Sequence, residues 1–156
     1  MKLADVICQD AVIAQLGSSE RDAVIEELVQ SLAGHIKMKA TVAKALAKAV
    51  IKRENEASTG IGKGVAVPHV KHKAIKEPVA VVGCSQEGID FVSLDKQPVY
   101  SVFLLLSPAS NPDKHLQAME TIFKNLQKDD FRRFLRQAAT PEAIIEAIKD
   151  ADEDSD

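Results

Sequence analysis

The chain has 156 residues, of which 46% are hydrophobic and 28% charged, an ordinary balance for a globular protein. A net charge of -3, with one tyrosine and five phenylalanines that form no stacking platform, argues against a nucleic-acid partner. The longest aliphatic and aromatic run, Val102 to Leu106, is too short to cross a bilayer and the charged N-terminus does not resemble a signal peptide, so we expect a cytoplasmic protein without direct membrane insertion.

The first part of the chain predicts two helices. Ser19 and Asp22 resemble a capping box that opens a helix over residues 21–33, in which apolar residues recur at helical spacing. A second helix is predicted from about Ala40 to Glu54, with its apolar residues on one face.

Three short apolar runs in the middle of the chain predict β-strands. They read VAV, VAVVGC and VYSVFLLL and are bounded by Gly, Pro and Asp. The last run is almost continuously apolar, which is typical of a strand that is buried on both faces.

The last part of the chain predicts three more helices. Asn111 and Pro112 have the residue types of a helix cap and a first helical residue. The apolar stripe of this helix is predicted to consist of Leu116, Met119, Phe123 and Leu126. Two further helices are predicted at about residues 130–137 and 141–149.

Helices before and after a central group of strands indicate an α/β fold. We expect a three-layer α/β/α sandwich with a mixed β-sheet flanked by helices. A single domain is predicted over residues 1–150. Residues 151–156 are predicted to be an acidic, disordered tail, because four of them are Asp or Glu.

The segment GIGKGVAVPHVKHK, residues 60–73, lies between the helical start and the strands. It lacks the Ser or Thr of a P-loop, and it is not preceded by a strand and followed by a helix as a dinucleotide fingerprint requires. Its glycines permit exposed N–H groups, and Pro68 fixes the backbone in front of His69. A neutral imidazole held through one N–H presents its other nitrogen as a nucleophile. Taken alone, however, a histidine after proline is more often without a chemical role.

Two more residues are consistent with a site around His69. Arg53 ends the second helix, where it could equally neutralise the helix C-terminus. His115 lies in the first turn after Asn111, where it could equally pack its ring at the boundary of the core. With the glycine-loop amides and a helix N-terminus, these residues would suit a phosphoryl group on His69. A zinc site of His69, His72 and His115 has no known spacing signature, and His72 is predicted to be an exposed basic residue.

The segment from Arg53 to His69, RENEASTGIGKGVAVPH, resembles the phosphorylation-site motif of enzyme IIA proteins of the bacterial phosphotransferase system, in the fructose, mannitol and nitrogen-regulatory class. The residues that match the motif are Glu54, Ile61, Gly62, Val65, Ala66, Val67, Pro68 and His69. The similarity continues through residues 88–108 and 115–119 and so covers nearly the whole chain. The family prefers a small residue after the histidine, whereas this chain has Val70, which would crowd a docking partner or simply continue the strand.

The resemblance implies a phosphotransferase that acts as a histidine phosphoryl carrier. His69 would accept the group on Nε2 from phosphorylated HPr, and would pass it to a cysteine of a IIB partner or hold it as a regulatory mark. His115 would stabilise the phosphoryl group, and Arg53 and Thr59 would bind phosphate in the same pocket. The scheme requires no cofactor and no metal.

Two classes of function remain open. Within the relay class, a free-standing chain favours a nitrogen-type regulator with its own target protein over a sugar-uptake component. The alternative is a regulatory binding module of the same fold that acts through protein contacts without phosphorylation. The presence of both His69 and His115 argues against this alternative, since a scaffold needs neither residue.

Overall fold

In a computed structural model of the protein, which describes residues 1–154, six α-helices surround a mixed sheet of five strands. The helices are α1 (Leu3–Val6), α2 (Arg21–His35), α3 (Ala40–Glu56), α4 (Pro112–Leu126), α5 (Asp129–Gln137) and α6 (Pro141–Glu153). The strands are β1 (Gly60–Gly62), β2 (Val65–Ala66), β3 (His69–His72), β4 (Val79–Ile89) and β5 (Val99–Pro108). None of the helices in the described part of the chain is long and apolar enough to span a membrane.

Strand β5 lies at the centre of the sheet. β4 pairs with it antiparallel on one side, whereas β2 and β3 both pair with it in parallel on the other side. β2 and β3 therefore act as one strand with an interruption. The interruption falls at Pro68, which has no N–H to donate to the ladder. β3 starts directly afterwards at His69, which pairs with Leu105 of β5.

The side chains of β5 alternate between two apolar cores. Phe103 and Leu105 pack in the core that α1, α4, α5 and α6 cover, and Val102, Leu104 and Leu106 pack in the core beneath α2 and α3. All five side chains are fully buried. The structure thus confirms the predicted strand buried on both faces and the predicted sandwich of helices around a mixed sheet.

Helix α2 does not use the predicted capping box. It begins at Arg21 without any side-chain cap, and the Asp22 carboxylate accepts a hydrogen bond from Arg21 Nε instead. The loop in front of the helix is held by Glu27, which accepts the backbone N–H groups of two loop residues at 2.9 Å each. The predicted role of Ser19 and Asp22 is therefore wrong, because a carboxylate from within the helix reaches back to the loop.

Helix α4 confirms the predicted cap but not the whole predicted stripe. The Asn111 side chain accepts the N–H of Lys114 at 3.2 Å, and Pro112 is the first helical residue. Leu116, in contrast, is 57% exposed, so its predicted place in the core is wrong. The buried face is centred on residues spaced by four, which are Ala118, Ile122 and Leu126. Leu116 lies beyond the edge of that face.

The C-terminal end differs from the predicted acidic tail. Residues 151–153 form the last turn of α6, and Asp152 is only 5% exposed. Its carboxylate accepts the N–H of Leu3 at 2.7 Å and the N–H of Ala4 at 3.0 Å, which satisfies two of the unpaired N–H groups at the start of α1. Residues 155 and 156 of the predicted tail lie outside the described residues.

We expect Asp152→Ala to lower the free energy of unfolding by about 2 kcal/mol, because it leaves one buried and one partly buried N–H group without an ionised acceptor. The measurement is urea unfolding of the variant and the wild type. Glu153→Ala is the matched control, since Glu153 is the exposed neighbour on the same helical turn. Equal unfolding free energies for the wild type and Asp152→Ala would show that the carboxylate does not hold α1.

Candidate functional site

His69 starts β3 immediately after the break in the sheet edge. Its side chain is half-buried, and its Nδ1 lies 2.7 Å from the carbonyl oxygen of Val67, two residues earlier. A carbonyl oxygen can only accept a hydrogen bond, so Nδ1 carries the hydrogen. Nε2 is then the ring nitrogen with the free lone pair.

A chain of hydrogen bonds supports the backbone that holds His69. The N–H of Val67 donates to the carbonyl of Thr59 at 3.2 Å. Thr59 in turn donates its N–H and its hydroxyl to the two carboxylate oxygens of Glu54, each at 2.6 Å. Glu54 is 2% exposed and lies in the last turns of α3. The end of α3 is therefore tied to the strand that presents His69.

This network bears on the predicted phosphate-binding role of Thr59. A hydroxyl has one hydrogen, and that of Thr59 is donated to Glu54. In this arrangement Thr59 has no hydroxyl hydrogen left for a phosphoryl oxygen. What it contributes is the link between Glu54 and Val67, and its direct contact with phosphate stays a prediction.

His115 lies in the first turn of α4 and is brought next to His69. The two ring centroids are 5.6 Å apart and the ring planes are tilted by 38°. His115 Nδ1 is 2.7 Å from the hydroxyl oxygen of Ser107, a fully buried residue near the end of β5. Sequence reasoning missed Ser107. Its signal was a polar residue in an otherwise apolar buried strand, because such a residue needs a partner.

Two cations lie close to the histidines. Arg53, in the last turn of α3, donates one guanidinium N–H to the carbonyl of Ala57 at 3.1 Å and retains four other N–H donors. Its positive charge acts on His69. Lys71, whose charge acts on both His69 and His115, was not among the predicted site residues. Strand alternation was the signal for it, since residues two apart in β3 share a face.

The surroundings of both histidines favour the neutral form of the ring. Burial is the main cause that lowers the pKa of His69 below its ordinary value, and the positive charges of Arg53 and Lys71 lower it further, while the Val67 carbonyl and Glu54 act in the opposite direction. Burial also lowers the pKa of His115, followed by the repulsion that a protonated His69 would exert and by the charge of Lys71. A neutral ring is the form that has a nucleophilic nitrogen.

Val70 and His72 do not belong to this cluster. Val70 continues strand β3, and its side chain packs against the core beneath α2 and α3. It therefore lies on the face of the sheet opposite to Leu105. His72 is half-buried and its Nδ1 accepts the N–H of Ala74 at 3.0 Å, which makes it part of a turn. Within residues 1–154, no three His, Cys, Asp or Glu side chains are grouped as a metal site.

Residues 6–151 match the profile of the family described as "Phosphoenolpyruvate-dependent sugar phosphotransferase system, EIIA 2". The chain is 32% identical over 154 residues to the fructose-specific EIIABC component of the phosphotransferase system of Bacillus subtilis, covering 97% of this chain and 24% of that protein. It thus spans about a quarter of that relative's length.

Solved structures of similar fold carry related names. The nitrogen regulatory protein IIA-Ntr of Neisseria meningitidis superimposes with a TM-score of 0.82 at 20% identity, covering 94% of this chain and 98% of that one. The mannitol IIA in complex with phosphorylated mannitol IIB from Escherichia coli gives a TM-score of 0.75 at 14% identity, covering 92% of this chain and 96% of that one. At these identities the structures establish the shared fold.

We expect the imidazoles of His69 and His115 to titrate below the ordinary histidine value of about 6.5 in an NMR titration of ¹⁵N-histidine-labelled protein. At a pH between the folded and unfolded pKa values of a histidine, the unfolded chain binds more protons than the folded chain, so the free energy of unfolding rises with pH. The contribution of the two histidines to stability is therefore complete above the unfolded pKa and is lost as the pH falls through the folded pKa.

A pair of lysine variants separates the charge effect from burial. Lys71→Gln should raise the pKa of both histidines because it removes a nearby positive charge, whereas Lys73→Gln, at an exposed position beside it, should leave them unchanged. Titration midpoints of His69 and His115 in the wild type that lie at or above the ordinary histidine pKa would contradict the effect of burial on the two rings.

Proposed function

This chain belongs to the phosphoenolpyruvate-dependent sugar phosphotransferase system EIIA 2 family, and on that basis we propose that it relays a phosphoryl group through Nε2 of His69. One observation supports this proposal most directly. The 2.7 Å hydrogen bond from Nδ1 to the Val67 carbonyl fixes the ring with Nε2 unprotonated, which is the state a phosphoryl acceptor needs.

The proposed step moves one phosphoryl group between two imidazoles. The P–N bond on the histidine of phosphorylated HPr breaks, and its electron pair stays on the donor nitrogen. The lone pair of His69 Nε2 forms the new P–N bond. Nδ1 keeps its hydrogen, bonded to the Val67 carbonyl, so the ring does not have to lose a proton. In onward transfer this P–N bond breaks as a cysteine thiolate of a IIB partner forms a P–S bond.

The surrounding residues support this step by position and charge. Transfer between two nucleophiles needs alignment and stabilisation of the phosphoryl oxygens more than it needs acid–base chemistry. Arg53 and Lys71 supply positive charge beside His69, and His115 lies 5.6 Å away, ring centre to ring centre. We assign Arg53 to phosphate binding and His115 to stabilisation of the phosphoryl group.

The family and its fold support a proposal for the partners. A IIA domain of this fold forms a complex with a phosphorylated IIB domain in the mannitol system. We propose HPr as donor and a IIB domain or a regulated protein as the recipient. Fructose-specific and nitrogen-regulatory proteins both occur among the similar proteins, so the preference for a regulator and the cytoplasmic location stay predictions.

The proposal predicts that the wild type gains one phosphate when it is incubated with phosphoenolpyruvate, enzyme I and HPr. Intact-mass spectrometry at alkaline pH, where phosphohistidine survives, is the measurement. His69→Ala should gain no phosphate because it lacks the nucleophile, while His72→Ala should be labelled like the wild type, since the His72 ring bonds to the turn after β3 and not to the cluster.

Either of two outcomes would contradict this assignment. Labelling of a folded His69→Ala variant would place the phosphate on another residue. A folded, unlabelled wild type in the presence of an active donor would favour the alternative, a binding module that acts without phosphorylation.

Val70 gives a separate prediction about docking. Because its side chain packs against the core beneath α2 and α3, we expect Val70→Ala to cost about 1 kcal/mol of stability and to leave the rate of phosphoryl transfer from HPr unchanged. Urea unfolding and quenched-flow labelling are the measurements. A faster transfer in the variant would instead show that the branched side chain crowds the partner.

A further inference from the structure

Within the described residues 1–154, Ser107 forms the only side-chain hydrogen bond that reaches the ring of His115. It follows the apolar run of β5, is fully buried and faces α4, with its hydroxyl oxygen 2.7 Å from His115 Nδ1. Over residues 1–154, the hydroxyl makes no other hydrogen bond, and the single buried side-chain polar atom left without a partner is the hydroxyl of Ser93. The hydroxyl of Ser107 is therefore satisfied through His115.

The burial of the Ser107 hydroxyl favours one direction of the hydrogen bond. A hydroxyl has one hydrogen, and a fully buried hydroxyl loses free energy if that hydrogen has no acceptor. For Ser107 the acceptor within reach is the Nδ1 of His115. Nδ1 must then present its lone pair, and the hydrogen of the neutral imidazole must reside on Nε2.

We propose that Ser107 is a positioning residue that fixes His115 in the Nε2–H tautomer, opposite to the tautomer of His69, and so makes His115 a hydrogen-bond donor to a phosphoryl group on His69. The two partners differ in kind. The Val67 carbonyl can only accept, which places the hydrogen of His69 on Nδ1, whereas the Ser107 hydroxyl donates, which places the hydrogen of His115 on Nε2.

The opposite tautomers suit the two rings to different tasks. His69 needs a lone pair on Nε2 to form the P–N bond. His115 needs an N–H, because its lone pair would repel the anionic oxygens of the same phosphoryl group. With ring centroids 5.6 Å apart, one ring can carry the phosphoryl group while the other donates to it. The donation from His115 to a phosphoryl group rests on the proposed function. The tautomer of His115 can be measured without any phosphoryl transfer.

The first test is the ¹⁵N spectrum of the histidine side chains at a pH above both titrations, with His115→Ala used to assign the signals. In the wild type we expect His115 to have a protonated Nε2 and an unprotonated Nδ1, and His69 the reverse. A hydrogen on Nδ1 of His115 would overturn the proposal, since Ser107 would then be an acceptor.

Three serine variants test whether the Ser107 hydroxyl is the cause of the His115 tautomer. Ser107→Ala should move the His115 nitrogen signals toward averaged values, because both tautomers then exchange, and should leave those of His69 in place. Ser107→Thr keeps the hydroxyl and should restore the wild-type signals. Ser101→Ala is the matched control, since Ser101 lies in the same strand, is 3% exposed and contacts Cys84 instead. An unchanged His115 spectrum in Ser107→Ala would refute the role of the hydroxyl.

The second test is the rate of phosphoryl transfer with HPr as donor. Ser107→Ala should transfer about tenfold more slowly at unchanged affinity for HPr, because it loosens one oriented donor without removing the ring. Ser107→Thr should recover the rate, and Ser101→Ala should keep it. A wild-type rate in Ser107→Ala would contradict the proposal. If the wild type accepts no phosphoryl group, the proposed function fails while the spectrum still decides the tautomer.

Discussion

The candidate site depends on one hydrogen bond, which joins His69 Nδ1 to the Val67 carbonyl beside the break between β2 and β3. Pro68 has no N–H to donate to β5, although its carbonyl still accepts the N–H of Leu105, and the ladder is interrupted between β2 and β3. The imidazole folds back onto the carbonyl two residues earlier, at 2.7 Å. The tautomer of His69 and the direction of its ring follow from this hydrogen bond, and the Glu54–Thr59 hydrogen bonds support the backbone in front of it.

The same environment favours uncharged rings and suits the phosphoryl group that we propose for this site. Burial lowers the pKa of both histidines because a low-dielectric setting disfavours the charged imidazolium. The cations Arg53 and Lys71 act in the same direction, and their fields also favour a phosphoryl group. Glu54 partly opposes them, but its two oxygens are occupied by Thr59, so it serves mainly as a buried anchor. The proposed nucleophile on His69 and the proposed phosphate-binding charges of Arg53 and Lys71 therefore do not oppose each other.

Local signals in the sequence predicted much of this structure. The Asn111 cap, the buried β5 and the presentation of His69 after Pro68 each depend on a few neighbouring residues, and for these the sequence pattern was sufficient. The errors arose where contacts with distant parts of the chain determine whether a residue is buried. Asp152 is buried because it meets α1, 149 residues away, and Leu116 is exposed because packing, not periodicity alone, selects which face of α4 is covered. Ser107 required both strand alternation and the position of α4 to be known.

The contact between Asp152 and Leu3 places the first helix beside the last one. A polypeptide that enters at α1 and leaves at α6 therefore does so at neighbouring points, a geometry that generally tolerates insertion of a fold into a longer chain and circular permutation. A short linker between the two ends could close the backbone into a ring, with new ends opened in an exposed loop. The order of elements along the chain would change, while the sheet and the histidine pair that it carries would keep their neighbours.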